Sequence, residues 1–264
     1  MKNILSMLLA SVMVLSLAAC SNQPAEENSS SQSSSEQTAS LETTYPVTIT
    51  DALGREVTIE EEPERLVSGY YITTSYLAAL DLDEKLVGIE AKADTRELYK
   101  LAAPELPSLP NVGSLKQFNL ETCVSTEPDL VILSAKVPDA VAKLEELGIP
   151  VIAVNPESEK EFKETISMIG TACNVQERAN ELTESYDKAI ADLAAKLEGV
   201  EPARVYLGGN SAFLSTAGPA MFQDLLIRGA GAENVASEIT VTYWATVSYE
   251  QLLAWNPVAI ILAP

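Results

Sequence analysis

Two glutamates stand at matching places in distant parts of the chain. Asn119-Leu-Glu121-Thr-Cys-Val-Ser-Thr-Glu-Pro128 and Ser248-Tyr-Glu250-Gln-Leu-Leu-Ala-Trp-Asn-Pro257 each put a capping residue two before the acid and a proline seven after it. Each stretch reads as a short helix leading into an apolar run, 130–133 and 258–262, that reads as a strand. An acid in the first turn complements the helix dipole by about 0.3–1 kcal/mol and needs no partner to do so. A pair of them, one in each half, also suits a partner that is itself two-fold. Acid–base catalysis by two carboxylates is the competing chemistry, but it requires both groups to face one substrate at close range. Two separate helix starts do not favour that. Histidine is absent from all 264 residues, which removes Ser-His-Asp and Cys-His catalysis. It also removes the imidazole that a binder of bare zinc or manganese would use. The chain is read as a non-enzyme with no catalytic residue and no metal site, the alternative being a membrane-anchored enzyme with Glu121 and Glu250 as its acids. Gly208-Gly209 lacks the lysine and spacing of a phosphate loop and reads as a tight turn.

The elements that would position these groups follow a strand–helix rhythm. Residues 47–51 and 55–59 alternate with period two around Ala-Leu-Gly, which predicts a hairpin. Apolar runs at 66–67, 86–89, 130–133 and 151–154 then alternate with helical patterns such as 73–80 and 138–147, the signature of a parallel α/β lobe over 45–174. Two helices follow in series. The first, 159–172, has Ser158 as N-cap and Glu161 placed for a capping box. The second, 175–199, opens at Asn174 and closes at Gly199 with Pro202 beyond, and its stripe of Ala179, Leu182, Tyr186, Leu193 and Leu197 keeps helical spacing. A helix of that length can join two lobes as a strut. Beyond it, strands at 204–207 and 258–262 and helices at 220–228 and 248–254 make a second α/β lobe over 200–264. With so few strands its last one is expected to be unpaired or uncovered, and the lobe reads as truncated.

In their order and spacing, Asp51-Ala-Leu-Gly-Arg55, Leu86-Val-Gly-Ile89, Asn119-Leu-Glu121, Glu127-Pro-Asp-Leu-Val-Ile132, Gly148-Ile-Pro-Val151 and Ser248-Tyr-Glu-Gln-Leu252 resemble one family. It is that of the binding proteins of ABC importers for ferric siderophores, haem and cobalamin. The resemblance runs from Val47 to the last residue. It implies two Rossmann-like lobes joined by one long helix, no cofactor, and capture of a metal chelate or corrinoid without chemistry on it. It also implies docking on a dimeric permease, served by its ATPase, through one glutamate per lobe. Glu121 and Glu250 occupy those positions. Family members normally continue past the point that Pro264 corresponds to.

Ligands of open α/β sheets bind outside the carboxyl ends of the strands. That rule selects Tyr70 and Tyr71 after the first parallel strand, Arg96 and Tyr99 after the second, and Lys116 and Phe118 before Glu121. It adds Lys136 after the third strand, Phe213 in the second lobe, and Tyr243 with Trp244 ahead of Glu250. Aromatic faces and a few cations suit a planar or anionic chelate.

Lys2, the apolar run over 4–17 and Leu17-Ala18-Ala19-Cys20 make residues 1–19 a signal peptide ending in a lipobox. The Cys20 thiol is expected to carry diacylglycerol and its freed amine a further acyl chain, a durable anchor on the extracytoplasmic face of the cell membrane. No stretch reaches the roughly 18–20 apolar residues that spanning needs, so membrane contact is through lipid alone. Residues 20–44 add a polar tether. The net charge of −21, from 17 basic and 38 acidic residues, disfavours nucleic acid as a partner. Cys123 and Cys173 sit in apolar helical patterns and are expected to be buried and inert. A purely structural surface lipoprotein is the third class, and a melting temperature that no small ligand shifts would distinguish it.

Overall fold

The computed structural model describes residues 41–209, 212–240 and 244–263. The signal peptide, Cys20 and the tether up to residue 40 lie outside the described residues. Among those described, no helix is long and apolar enough to cross a membrane.

The body opens with the expected hairpin: β1 (Val47–Thr50) pairs antiparallel with β2 (Glu56–Ile59). Gly54 takes φ +74° in the turn, a conformation that glycine adopts without strain. Asp51 clasps this hairpin to the lobe. Its Oδ1 accepts the Leu53 and Arg55 backbone N–H groups at 2.9 and 3.1 Å, and its Oδ2 accepts Arg55 Nε at 3.1 Å and the Ala153 N–H at 3.0 Å.

From there the chain alternates as the sequence predicts. β3 (Leu66–Ser68) leads to α1 (Tyr71–Ala79), and β4 (Leu86–Ile89) leads to α2 (Glu97–Ala102). A small hairpin, β5 (Gly113–Ser114) and β6 (Gln117–Phe118), leads to α3 (Leu120–Ser125). β7 (Leu130–Ser134), α4 (Pro138–Glu146) and β8 (Val151–Val154) complete the lobe. The sheet runs β4-β3-β7-β8, all parallel. β3, β7 and β8 are buried at every residue, which is why they read as unbroken apolar runs. Leu130, Ile132 and Ile152 face one side with Leu77, Ile166 and Ile169; Val131, Leu133 and Val151 face the other with Cys123, Val141 and Leu144. Both cysteines are buried and free. Burial pushes the Cys123 thiol up to about 11 and the Cys173 thiol up to about 12, so neither forms a thiolate near neutral pH.

Ser158 caps α5 (Glu159–Ala172) as expected, accepting the Glu161 N–H at 3.2 Å while its hydroxyl donates to the Glu161 carboxylate at 2.9 Å. The start of α6 (Gln176–Lys196) departs from the expectation. Asn174 takes φ +59° and ends α5, with its carboxamide donating to Glu62 at 2.9 Å and accepting the Thr43 N–H at 2.7 Å. Asparagine tolerates the left-handed turn that closes a helix, and that use won over N-capping. α6 spans 21 residues, about 32 Å at 1.5 Å per residue. The rings of Tyr76, Phe162 and Tyr186 lie in series, 5.5 and 5.2 Å apart, and tie its first half to α1 and α5. Ala179 is its only buried residue, and the Leu197 side chain beyond its end packs on Gly231.

The second part comprises β9 (Ala203–Gly209), β10 (Ala212–Ala217), α7 (Phe222–Gly229), β11 (Ala232–Asn234), β12 (Trp244–Thr246), α8 (Tyr249–Trp255) and β13 (Ala259–Leu262). β9 pairs in parallel with β11 and β13 and antiparallel with β10, which pairs with β12. β10, β11 and β12 escape the sequence reading, because β10 lacks alternation and the other two are three residues long. β13 is paired with β9 yet exposed at all four residues. Gly208 and Gly209 are the last residues of β9 rather than a turn. A Cβ on Gly208 would lie 2.5 Å from the Phe213 carbonyl oxygen, so the close approach of β10 demands glycine there.

Candidate solute-binding site

At the carboxyl ends of β3, β4 and β7 two hollows open beside each other. One, of about 380 Å³, is lined by Tyr70, Tyr71, Glu90, Lys92, Arg96 and Lys116 among others. The second, of about 420 Å³, shares Leu115 and Lys116 and adds Phe118, Lys136 and Lys143. A larger hollow of about 790 Å³ lies along the flank of α5, lined by Thr50, Lys160 and Ser167, away from these strand ends. A hollow of about 560 Å³ runs from the segment after β8 to α7, lined by Glu157, Lys163 and Arg228, and meets the second hollow through the Lys136–Glu157 ion pair.

The first hollow is built on a buried acid. Glu90, directly after β4, is 5% exposed. Its Oε2 accepts Thr74 Oγ1 at 2.6 Å, and its Oε1 accepts the Tyr99 hydroxyl at 2.8 Å and Arg96 Nε at 3.2 Å. The Arg96 guanidinium lies over the Tyr71 ring, 4.3 Å from its centre, and Tyr71 meets Tyr70 edge-on at 5.2 Å. Tyr70 caps α1 positionally and is buried; that burial, with Tyr71 beside it, raises its phenol well above the usual tyrosine range. Tyr71 is 44% exposed and presents its ring to the hollow.

Tyr99 requires correction. It is 1% exposed and packs in the main core cluster, so it cannot touch a ligand. The α2 turn that brings Arg96 to the rim turns Tyr99 inward, where its hydroxyl shares one proton between Glu90 and the Tyr71 carbonyl oxygen at 3.0 Å. Lys116, in the β5–β6 turn, is exposed, and Phe118 is half-buried against the second core cluster. Lys136 is exposed but paired with Glu157. Glu90, Lys92 and Lys143 were not singled out by sequence; for Glu90 the signal was an acid placed directly at a strand's carboxyl end, the position the rule itself names.

In the second part the two expected residues that are described, Phe213 and Trp244, pack in different places. Phe213 packs edge-on against Tyr206 at 5.9 Å and stacks on Tyr249 at 6.2 Å, beside α8. Trp244 packs on the cluster of Val205, Leu207, Ala217 and Ile227. Tyr243 lies outside the described residues.

Glu121 and Glu250 are both exposed in the first turns of α3 and α8. Asn119 accepts the Thr122 N–H at 3.0 Å and Ser248 accepts the Gln251 N–H at 3.1 Å, so both caps are made as the repeat predicts. The repeat extends to the sheets. α3 precedes β7 and α8 precedes β13, and each of those strands pairs in parallel with the first strand of its own sheet, β3 or β9. The Glu250 carboxyl is held below the usual carboxylate range by its own backbone N–H and by the Ser248 hydroxyl.

Two α/β lobes on one long helix, with hollows at strand ends and an exposed acid on equivalent helices, define a solute-binding protein. The chain belongs to the periplasmic binding protein family, which matches residues 66–264. It is 30% identical over 266 residues to the uncharacterized ABC transporter substrate-binding lipoprotein YvrC of Bacillus subtilis, covering 97% of this chain and 78% of that one. It is 28% identical to the vitamin B12-binding protein of Pectobacterium atrosepticum, covering 76% of this chain and 71% of the relative. The solved structure of the molybdate-binding protein MolA of Haemophilus influenzae, bound to molybdate, superposes with a TM-score of 0.71 at 26% identity, over 82% of this chain and 73% of that one. As a substrate-binding protein of ABC transport the chain is not an enzyme and carries a ligand, not a cofactor.

Proposed function

We propose that this protein is a lipid-anchored extracytoplasmic binding protein that captures an iron-siderophore, haem or a corrinoid and presents it to a dimeric ABC permease through Glu121 and Glu250. The observation that carries this reading is the repeat: one capped helix per lobe, each with an exposed glutamate in its first turn and each leading to a strand beside its sheet's first strand. Cys20, behind its lipobox, supplies the anchor and the polar segment behind it the reach. In this reading Tyr70, Tyr71, Arg96, Lys116, Phe118 and Lys136 form the first-lobe side of the ligand site, with Phe213, Tyr243 and Trp244 contributing from the second lobe.

The test is transport in proteoliposomes holding the permease and its ATPase, with wild-type protein and the Glu121→Lys, Glu250→Lys double variant. Each carboxylate is exposed, so reversal should cost stability no more than the loss of two helix-dipole contacts, about 0.3–1 kcal/mol each, and leave the protein folded, while transport and co-sedimentation with the permease fall at least tenfold. Unimpaired transport by the double variant would refute the docking assignment.

A further inference from the structure

We propose that Arg96 receives an anionic group of the ligand and that Glu90 is the residue that positions it; the inference rests on the solute-binding reading above. Glu90 is fixed from two elements at once, by Thr74 of α1 and Tyr99 of α2. Its Oε1 therefore sets where Arg96 Nε can sit, and the Tyr71 ring sets the plane in which the guanidinium lies. Only the Nε–H is used: among the described residues the two Nη atoms make no hydrogen bond. A planar fork with free N–H groups at a pocket mouth matches a carboxylate, a phosphate or a tetrahedral oxyanion in two-point contact.

Charge decides between this and a structural role for the pair. Glu90 and Arg96 cancel one another, so they alone would not attract an anion. The surplus comes from lysines. Among the described residues, five basic side chains form no ion pair, Arg65, Lys92, Lys116, Lys143 and Lys196. Three of the five, Lys92, Lys116 and Lys143, line the two hollows. In a chain of net charge −21 the unneutralised positive charge is thus concentrated at this rim. Asp139 also lines the second hollow and offsets one of the three lysines; at physiological ionic strength the Debye length is about 8 Å, so the surplus that remains outweighs the distant acids for a ligand already at the mouth.

The test uses the full chain in detergent micelles, titrated calorimetrically with sodium molybdate, haemin, cyanocobalamin and ferrioxamine B. These offer an oxyanion, carboxylates, no net charge and a cation. Molybdate or haemin is expected to bind, with Arg96→Gln weakening the interaction at least tenfold, as loss of charge-assisted hydrogen bonds requires. Arg96→Lys, which keeps charge but not the fork, should recover only part of it. Glu90→Gln should weaken the same ligand several-fold, and Glu90→Gln with Arg96→Gln should be no weaker than Arg96→Gln alone, because Glu90 acts through Arg96. A merely structural pair would instead lower the melting temperature and weaken every probe alike. Binding of only cyanocobalamin or ferrioxamine B, untouched by Arg96→Gln, overturns this inference and leaves the solute-binding reading standing. Silence from all four probes also overturns it, while the permease co-sedimentation experiment, which needs no ligand, still judges the wider reading.

Discussion

Asp51 Oδ2 accepts the Ala153 backbone N–H at 3.0 Å, joining the first hairpin to the last strand of the first-lobe sheet across 102 residues of chain. The Asp51 side chain is fully buried and also holds Arg55, whose Nη2 reaches the Val151 carbonyl oxygen at 3.0 Å. Replacing Asp51 with alanine leaves the Ala153 N–H without its acceptor and takes one partner from the Arg55 guanidinium, which keeps Glu145 and the Val151 carbonyl oxygen. Leaving a buried donor unsatisfied costs about 1–3 kcal/mol. Asp51→Ala should therefore lower the free energy of unfolding by that amount, read as a lower urea midpoint at unchanged slope, and Asp51→Asn, which keeps one acceptor oxygen, by less. A loss below about 1 kcal/mol, within the range of an ordinary surface change, would show that the clasp is not structural.

Gly113 holds the β5–β6 hairpin at φ +92°, and a Cβ there would lie 2.1 Å from the Gln117 carbonyl oxygen and 2.8 Å from the Asn119 nitrogen. Both are backbone atoms of the segment that carries Lys116 and Phe118 to the hollow and Asn119 to its cap on α3. Neither can yield without opening the hairpin. Positive φ costs alanine about 1 kcal/mol and the overlap about 1–3 more. Gly113→Ala should lose about 2–4 kcal/mol of stability in thermal or urea unfolding and weaken ligand binding through displacement of Lys116. Wild-type stability in this variant would contradict the hairpin geometry.

What the sequence makes legible here is whatever depends on near neighbours. β7 and β8 announce themselves because a strand covered on both faces is apolar throughout. Ser158, Asn119 and Ser248 mark helix starts because a short polar side chain satisfies backbone N–H groups three residues on. Asn174 shows the limit: the same side chain serves a helix end equally well, and only Glu62 and Thr43, over a hundred positions away, decide which. The site follows the same division. Tyr71 and Arg96 follow from the strand-end rule, whereas Tyr99 reads as another cleft aromatic until α2 is seen to turn it inward. Glu90 shows locally only its place at a strand's carboxyl end; its role is not legible there, because Thr74, Tyr99 and Arg96 approach it from separate parts of the chain.

Ser248 serves α8 twice, accepting the Gln251 N–H as N-cap and lowering the Glu250 carboxyl through its hydroxyl. Glu250 is held below its ordinary value of 4.5 chiefly by its own backbone N–H, with the Ser248 hydroxyl adding to it. A carboxyl depressed by folding contributes stability that is present above its unfolded pKa and is lost as pH falls through the lower folded value. The shift favours the charged form of Glu250. Ser248→Ala should raise the Glu250 midpoint toward 4.5 in a carboxyl-detected NMR titration, with Glu121 as the internal control. The same variant should lose about 1 kcal/mol from the missing cap. If Glu250 meets a basic pocket on the permease, binding of Ser248→Ala should fall away at a higher pH than binding of the wild type. Coincident pH profiles for the two proteins would show that the Glu250 charge is not what the permease reads.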